Sequence, residues 1–129
     1  MTDAITTAQE HILIVEDDRA LRESLREALE LEGYVAVGVE NGQVALKYLA
    51  TGARPCVILL DLMMPVMDGW TFRQEMTKDA SLAAIPVIVM TAATPARVAA
   101  IAAEAVLYKP LHMGKVVGVV QEHCPGGAA

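Results

Sequence analysis

Residues 12–18 read Ile12-Leu13-Ile14-Val15-Glu16-Asp17-Asp18: four apolar residues, three of them β-branched, followed at once by three acids. An uninterrupted apolar run is what a strand covered on both faces requires, and the acids place polar chemistry at its carboxyl end. From Arg19 the apolar residues Leu21, Leu25, Ala28 and Leu29 recur at helical spacing, with Arg22, Glu23, Arg26, Glu27 and Glu30 on the opposite face. Gly33 supplies the stop. The same strand-then-helix unit repeats along the chain. Residues 34–39 predict a second strand, and Asn41-Gly42 a turn into a short helix that closes at Gly52. Residues 56–60 form the most apolar strand candidate and run into Asp61. Residues 87–90 follow Pro86 and stop at Thr91, and residues 105–108 end at Lys109-Pro110. Helices are expected over 70–78, from Pro95 through an alanine-rich segment, and over 113–123. Five strands alternating with helices predict βαβ units around a parallel sheet.

Composition narrows the function. The 129 residues fit one domain, and 54% hydrophobic against 20% charged is enough to close a core without staples. Ten Lys+Arg against sixteen Asp+Glu give a formal charge of -6, the wrong sign for holding nucleic acid through its phosphates. The longest uncharged stretch, residues 80–96, is broken by Pro86 and Pro95, so no membrane span is expected. Residues 1–10 lack the positive-then-apolar layout of a signal peptide, and a cytoplasmic location follows as the expectation. Cys56 and Cys124 show no CxxC spacing and read as two free thiols. His11, His112 and His123 are scattered without ligand spacing, and the methionines at 63, 64 and 67 read as packing rather than metal binding.

In an open parallel sheet the carboxyl ends of the strands share one edge, where such folds bind ligands. Glu16, Asp17, Asp61, Thr91 and Lys109 are therefore expected to converge. Crowded carboxylates raise one another's pKa and call for a counter-charge. A hard cation such as Mg2+ answers that need, with Lys109 beside it. Carboxylates, a divalent cation, a lysine and a hydroxyl are also what phosphoryl transfer asks for, and a carboxylate there can be the nucleophile.

With these residues in place the chain resembles a known family, the receiver domain of two-component response regulators. The motifs are ILIVEDD at 12–18, LLDLMMPVMDGW at 59–70, PVIVMTA at 86–92 and YKP at 108–110, and the match runs over residues 11–124 with short flexible tails at 1–10 and 125–129. The resemblance implies a doubly wound, flavodoxin-like sheet of five parallel strands in the order 2-1-3-4-5. It implies that Asp61 accepts a phosphoryl group from a histidine kinase or a histidine phosphotransfer protein. Asp17 and Asp61 would bind Mg2+ directly, Glu16 mainly through water, and the Met63 carbonyl would complete the protein ligands. Thr91, Ala92 and Lys109 would contact the phosphoryl group, and the Lys109–Pro110 bond would be cis. The implied role is a stand-alone signalling module, not an enzyme acting on other substrates, working in trans on a downstream protein or by onward phosphotransfer, as a monomer or a phosphorylation-dependent dimer.

Two departures stand out. Where the family usually has Tyr or Phe three residues before the lysine, this chain has Val106, and Tyr108, which sits directly next to Lys109, does not stand at that position. The segment from Thr91 to Lys109 is short and alanine-rich, which predicts a stunted helix. Both favour an alternative in which the fold serves as a phosphorylation-independent adaptor. A Mg2+-dependent phosphohydrolase with an aspartyl nucleophile would need an acid two residues after Asp61, where Met63 stands. A dinucleotide-binding module would need GxGxxG after the first strand. Taken singly, the residues have plainer readings: Asp18 as a helix cap, Asp61 as a turn residue, Thr91 as a cap, Lys109 as a surface charge and Trp70 as packing.

Overall fold

The five apolar runs form the strands β1 (His11–Val15), β2 (Val35–Val39), β3 (Val57–Asp61), β4 (Val87–Thr91) and β5 (Ala105–Tyr108) in a computed structural model that describes residues 11–125. They make one parallel sheet ordered β2-β1-β3-β4-β5, as the resemblance implied. The helices are α1 (Arg19–Leu31), α2 (Gly42–Ala50), α3 (Gly69–Met76), α4 (Ala80–Ala83), α5 (Pro95–Val98) and α6 (Met113–His123). The tails expected at 1–10 and 125–129 lie outside the described residues, apart from Pro125.

The period-two alternation of the strands builds two cores. Ile12, Ile14, Val57, Leu59, Ile88 and Met90 face α1 and α6, where they meet Leu25, Leu29, Val116 and Val120. Leu13, Val15, Ile58, Leu60, Val87 and Val89 face the other way, toward Leu49, Phe72, Met76, Leu82 and Val98. Burial on both sides explains why β1, β3 and β4 carry no polar residue between their first positions and their carboxyl ends.

Local chemistry sets the element ends. Asp18, Asn41 and Asp68 cap α1, α2 and α3 by accepting the backbone N–H of Leu21 (3.1 Å), Val44 (3.0 Å) and Thr71 (2.8 Å), each cap contributing about 1 kcal/mol. Beyond α1, Gly33 takes φ 93° and turns the chain into β2. Gly69 is required for another reason: a Cβ there would lie 2.6 Å from the Asp61 carbonyl oxygen and 2.8 Å from Leu62 Cα. Strands β3 and β4 extend one residue beyond the expected bounds and take in Asp61 and Thr91, while α3 ends two residues earlier. The turn α4, capped by Asp79 on Ser81, was not expected, because four residues are too few to display a helical period. The alanine-rich segment yields only the four residues of α5. Helix α6 forms over its expected range despite Gly114 and Gly118, because Val116 and Val120 are buried against the sheet.

One expectation fails. Cys56 and Cys124 are not free thiols but form a disulfide, with Cα atoms 5.7 Å apart across a sequence separation of 68. Cys56 enters β3 beside β1, its N–H donating to the His11 carbonyl (2.9 Å), and Cys124 ends α6 at the same pole of the sheet. Spacing along the chain cannot show this proximity, since the fold creates it. Among the described residues no helix is long and apolar enough to cross a membrane.

Candidate functional site

The topology brings the carboxyl ends of β1, β3, β4 and β5 to one edge, and with them Glu16, Asp17, Asp61, Thr91 and Lys109. Glu16, Asp61 and Thr91 are buried, whereas Asp17 is exposed. One carboxylate oxygen from each of Glu16, Asp17 and Asp61 lies within 4.8 Å of the others. The Lys109 ammonium spans the two buried acids, donating to Glu16 Oε1 at 3.0 Å and Asp61 Oδ2 at 3.4 Å. The second Glu16 oxygen accepts the Asp18 N–H (3.0 Å), and Asp61 Oδ1 accepts the Met63 N–H (3.3 Å).

Three carboxylates against one ammonium leave the cluster acidic, and its donors are all oxygens. That set fits a hard divalent cation such as Mg2+, with room for approach from the exposed Asp17 side. The electrostatics agree. Burial pushes the Glu16 carboxyl up to about 7 and the Asp61 charge adds to the rise, overcoming the Asp18 N–H and Lys109. Asp61 is raised by burial and by Asp17 against the pull of Lys109 and the Met63 N–H. For Lys109 burial lowers the pKa, but the hydrogen bond to Glu16 and the charges of Asp61 and Glu16 outweigh it, so the ammonium persists.

A pH prediction follows. Glu16 rises from its ordinary 4.5 to about 7 in the folded chain, so the folded state holds its proton more tightly than the unfolded state. The stability this contributes is complete below pH 4.5 and is lost as the pH rises through about 7. In chelator, urea unfolding at pH 8 should show on the order of 2–3 kcal/mol of this loss, and Glu16→Gln should remove it. Identical pH profiles for the two proteins would refute the assignment.

The remaining expected residues surround this cluster. Thr91 is fully buried, and its Oγ1 accepts the Ala93 N–H (2.9 Å). It does not cap α5, whose N-cap position is Thr94. Ala92 is exposed beside it, and Met63 is exposed on the loop after β3. The Lys109–Pro110 peptide is cis. In the loop after β3 Val66 takes φ 71°, a strained conformation for a β-branched residue, as the Met67 N–H closes a tight turn onto the Pro65 carbonyl (2.8 Å). Val106 is half-buried and packs against the core on the α2–α5 side, and Tyr108 is exposed.

Two contributors escaped the sequence reading. Arg22 falls on the charged face of α1 by period, yet its Nη1 reaches back to donate to the Glu16 carbonyl at 2.7 Å. Trp70 does more than pack: its Nε1–H donates to the Arg97 carbonyl (3.2 Å), and the Arg97 guanidinium lies 4.7 Å over its ring. Neither pairing has a signature in sequence spacing.

Comparison with known proteins agrees with this geometry. The family profile described as "Response regulator receiver domain" matches residues 12–121. The response regulator MprA of Mycolicibacterium vanbaalenii is 40% identical over 81 residues, which is 63% of this chain and 34% of the relative. The probable transcriptional regulator ycf27 of Guillardia theta is 38% identical over 84 residues, 65% of this chain and 32% of the relative. The chain thus spans about a third of the length of these curated relatives. Among solved structures, the receiver domain of a signal transduction histidine kinase from Syntrophus aciditrophicus superposes with a TM-score of 0.83 at 32% identity, covering 91% of both chains. The chemotaxis protein CheY4 of Vibrio cholerae gives 0.81 at 28% identity, covering 90% of this chain and 99% of that one. With matching topology, an acidic cluster at the strand ends and a family match over most of its length, the chain belongs to the response regulator receiver domain family.

Proposed function

We propose that the chain is a phosphoryl-accepting switch that takes a phosphoryl group on Asp61 from a phosphohistidine of a kinase or phosphotransfer protein and signals to a protein partner in trans. The observation that carries this reading is the buried Asp61 carboxylate, held between Lys109 and the Met63 N–H beside two further acids. An Asp61 oxygen attacks phosphorus, forming the O–P bond as the N–P bond of the donor imidazole breaks and that nitrogen keeps the electron pair. Lys109, already 3.4 Å from Asp61 Oδ2, balances negative charge on the phosphoryl oxygens. The Thr91 hydroxyl and the Ala92 N–H donate to those oxygens. Asp17, Asp61 and the Met63 carbonyl would hold Mg2+, with Glu16 acting through water, and the bound ion would add to the charge neutralisation. Phosphorylation then biases a two-state equilibrium read by the partner.

The test is intact-protein mass after incubation with a small phosphodonor and Mg2+. A single phosphoryl adduct that EDTA prevents is the expected result. Folded protein that binds Mg2+ and gains no adduct would overturn the reading. A second reading, a phosphorylation-independent adaptor, draws on Val106 and the four-residue α5. It expects a partner captured equally by the wild type and by a chain that cannot be phosphorylated.

A further inference from the structure

We propose that Arg22 is a positioning residue for the divalent-cation site, fixing the backbone of Glu16 from across the top of β2; this rests on the proposed function above. Glu16 sits where β1 has ended and α1 has not yet begun, so sheet pairing alone does not fix both sides of its peptide. Its N–H is satisfied by the Val39 carbonyl at 3.1 Å. Its carbonyl, facing the other way, accepts from Arg22 Nη1 at 2.7 Å, a short charge-assisted hydrogen bond. The Arg22 backbone is set by the first turn of α1, its N–H donating to the Asp18 carbonyl at 2.9 Å. Main chain and side chain of Arg22 therefore grip the acidic turn at both ends.

A second observation is independent of that bond. The Arg22 stem reaches Glu16 by lying over Gly38 of β2. A Cβ at Gly38 would fall 2.9 Å from Arg22 Cγ and 3.0 Å from its Cδ, too close without displacing the arm. The missing side chain at position 38 is the channel through which the guanidinium arrives. No carboxylate pairs with Arg22 among the described ion pairs, in contrast to Arg26 one turn on, which bonds Glu23 and Glu30. The hydrogen-bond partner of Arg22 is the carbonyl of Glu16, one of the three cluster acids and the neighbour of a second.

The sign of the effect separates positioning from simple charge. Removing a cation near an acidic site favours a second cation there, so an electrostatic role predicts tighter Mg2+ binding in Arg22→Gln. A positioning role predicts weaker binding, because the Glu16-Asp17 turn loses an anchor.

Calorimetric titration of Mg2+ into the full chain tests this, with thermal midpoints measured in EDTA to confirm that each variant is folded. Arg22→Gln should weaken Mg2+ about fivefold or more, as expected for losing a charge-assisted hydrogen bond that holds the site. Arg22→Lys should recover part of the loss. Gly38→Ala, which keeps every charge, should weaken binding in the same direction, and Arg26→Gln should leave it unchanged or slightly tighter. The rate of phosphoryl adduct formation should fall at low Mg2+ and return to within about twofold of wild type at saturating Mg2+, since the anchor affects occupancy rather than the attacking oxygen. Equal or tighter Mg2+ binding by Arg22→Gln overturns the proposal, as does equal weakening by Arg26→Gln. A wild type that binds no Mg2+ brings down the proposed function instead, and the two failures are distinguished in the first titration.

Discussion

An Asp61→Asn chain is expected to lose the phosphoryl adduct completely and to be more stable than the wild type. The amide oxygen of the substituted side chain keeps the Met63 N–H that Asp61 Oδ1 now accepts, and Lys109 keeps its shorter bond to Glu16 at 3.0 Å. What disappears is the oxygen proposed to attack phosphorus and one of three crowded negative charges. Asp61 is raised by burial and by Asp17, and it in turn pushes Glu16 up. A neutral side chain of the same shape removes both effects. The gain should be on the order of 1–2 kcal/mol at pH 8 in chelator, read as a higher urea midpoint. An adduct that persists on the Asn variant would move the phosphoryl acceptor elsewhere. A variant less stable than wild type under these conditions would mean that the Asp61–Lys109 pair offsets its own desolvation.

The second large effect concerns the opposite pole of the sheet. Opening the Cys56–Cys124 disulfide frees a loop spanning 68 positions of sequence separation, which in the chain-entropy account destabilises the folded state by about 4 kcal/mol. For a domain of this size that is a large share of the total, commonly about 5–15 kcal/mol. The urea midpoint of wild type should fall sharply in dithiothreitol, and Cys56→Ser should unfold at the lower midpoint with or without reductant. Quantified thiols under each condition make the comparison unambiguous. A fully reduced wild type with an unchanged midpoint would refute the prediction. The loss should concentrate at the end of α6, where Cys124 is fully buried and its carbonyl accepts the Tyr34 hydroxyl at 2.6 Å.

Much of the fold was legible because it is written in short-range pattern. Continuous apolar runs such as 12–15 and 57–60 mark strands buried on both faces, and in a parallel sheet their ends must share an edge. That geometric necessity makes Glu16, Asp17, Asp61, Thr91 and Lys109 converge. Asp18 proved to be the helix cap that its plainer reading suggested. Contacts between residues with no periodic relation were not legible. Cys56 and Cys124 meet because β3 starts and α6 ends at one pole. Arg22 looked solvent-directed because helical period records where a Cβ points and not where a long side chain ends. The Arg97 guanidinium lies over Trp70 because α3 and α5 flank the same strand ends, and no spacing rule encodes that stacking.

Gly69 bears on how such a chain can drift over generations. The position directly after the Asp68 cap has backbone of β3 pressed against it, with the Asp61 carbonyl closer to a prospective Cβ than any real contact permits. Even alanine would force β3 and α3 apart at the point where Asp61 is aimed. Gly114 and Gly118 meet nothing within 4 Å of the same hypothetical atom. Among descendants of this sequence, residue 69 should therefore stay frozen while 114 and 118 wander, and the pattern of variation, once sampled, would separate the glycines that the packing around Asp61 depends on from those the fold merely carries.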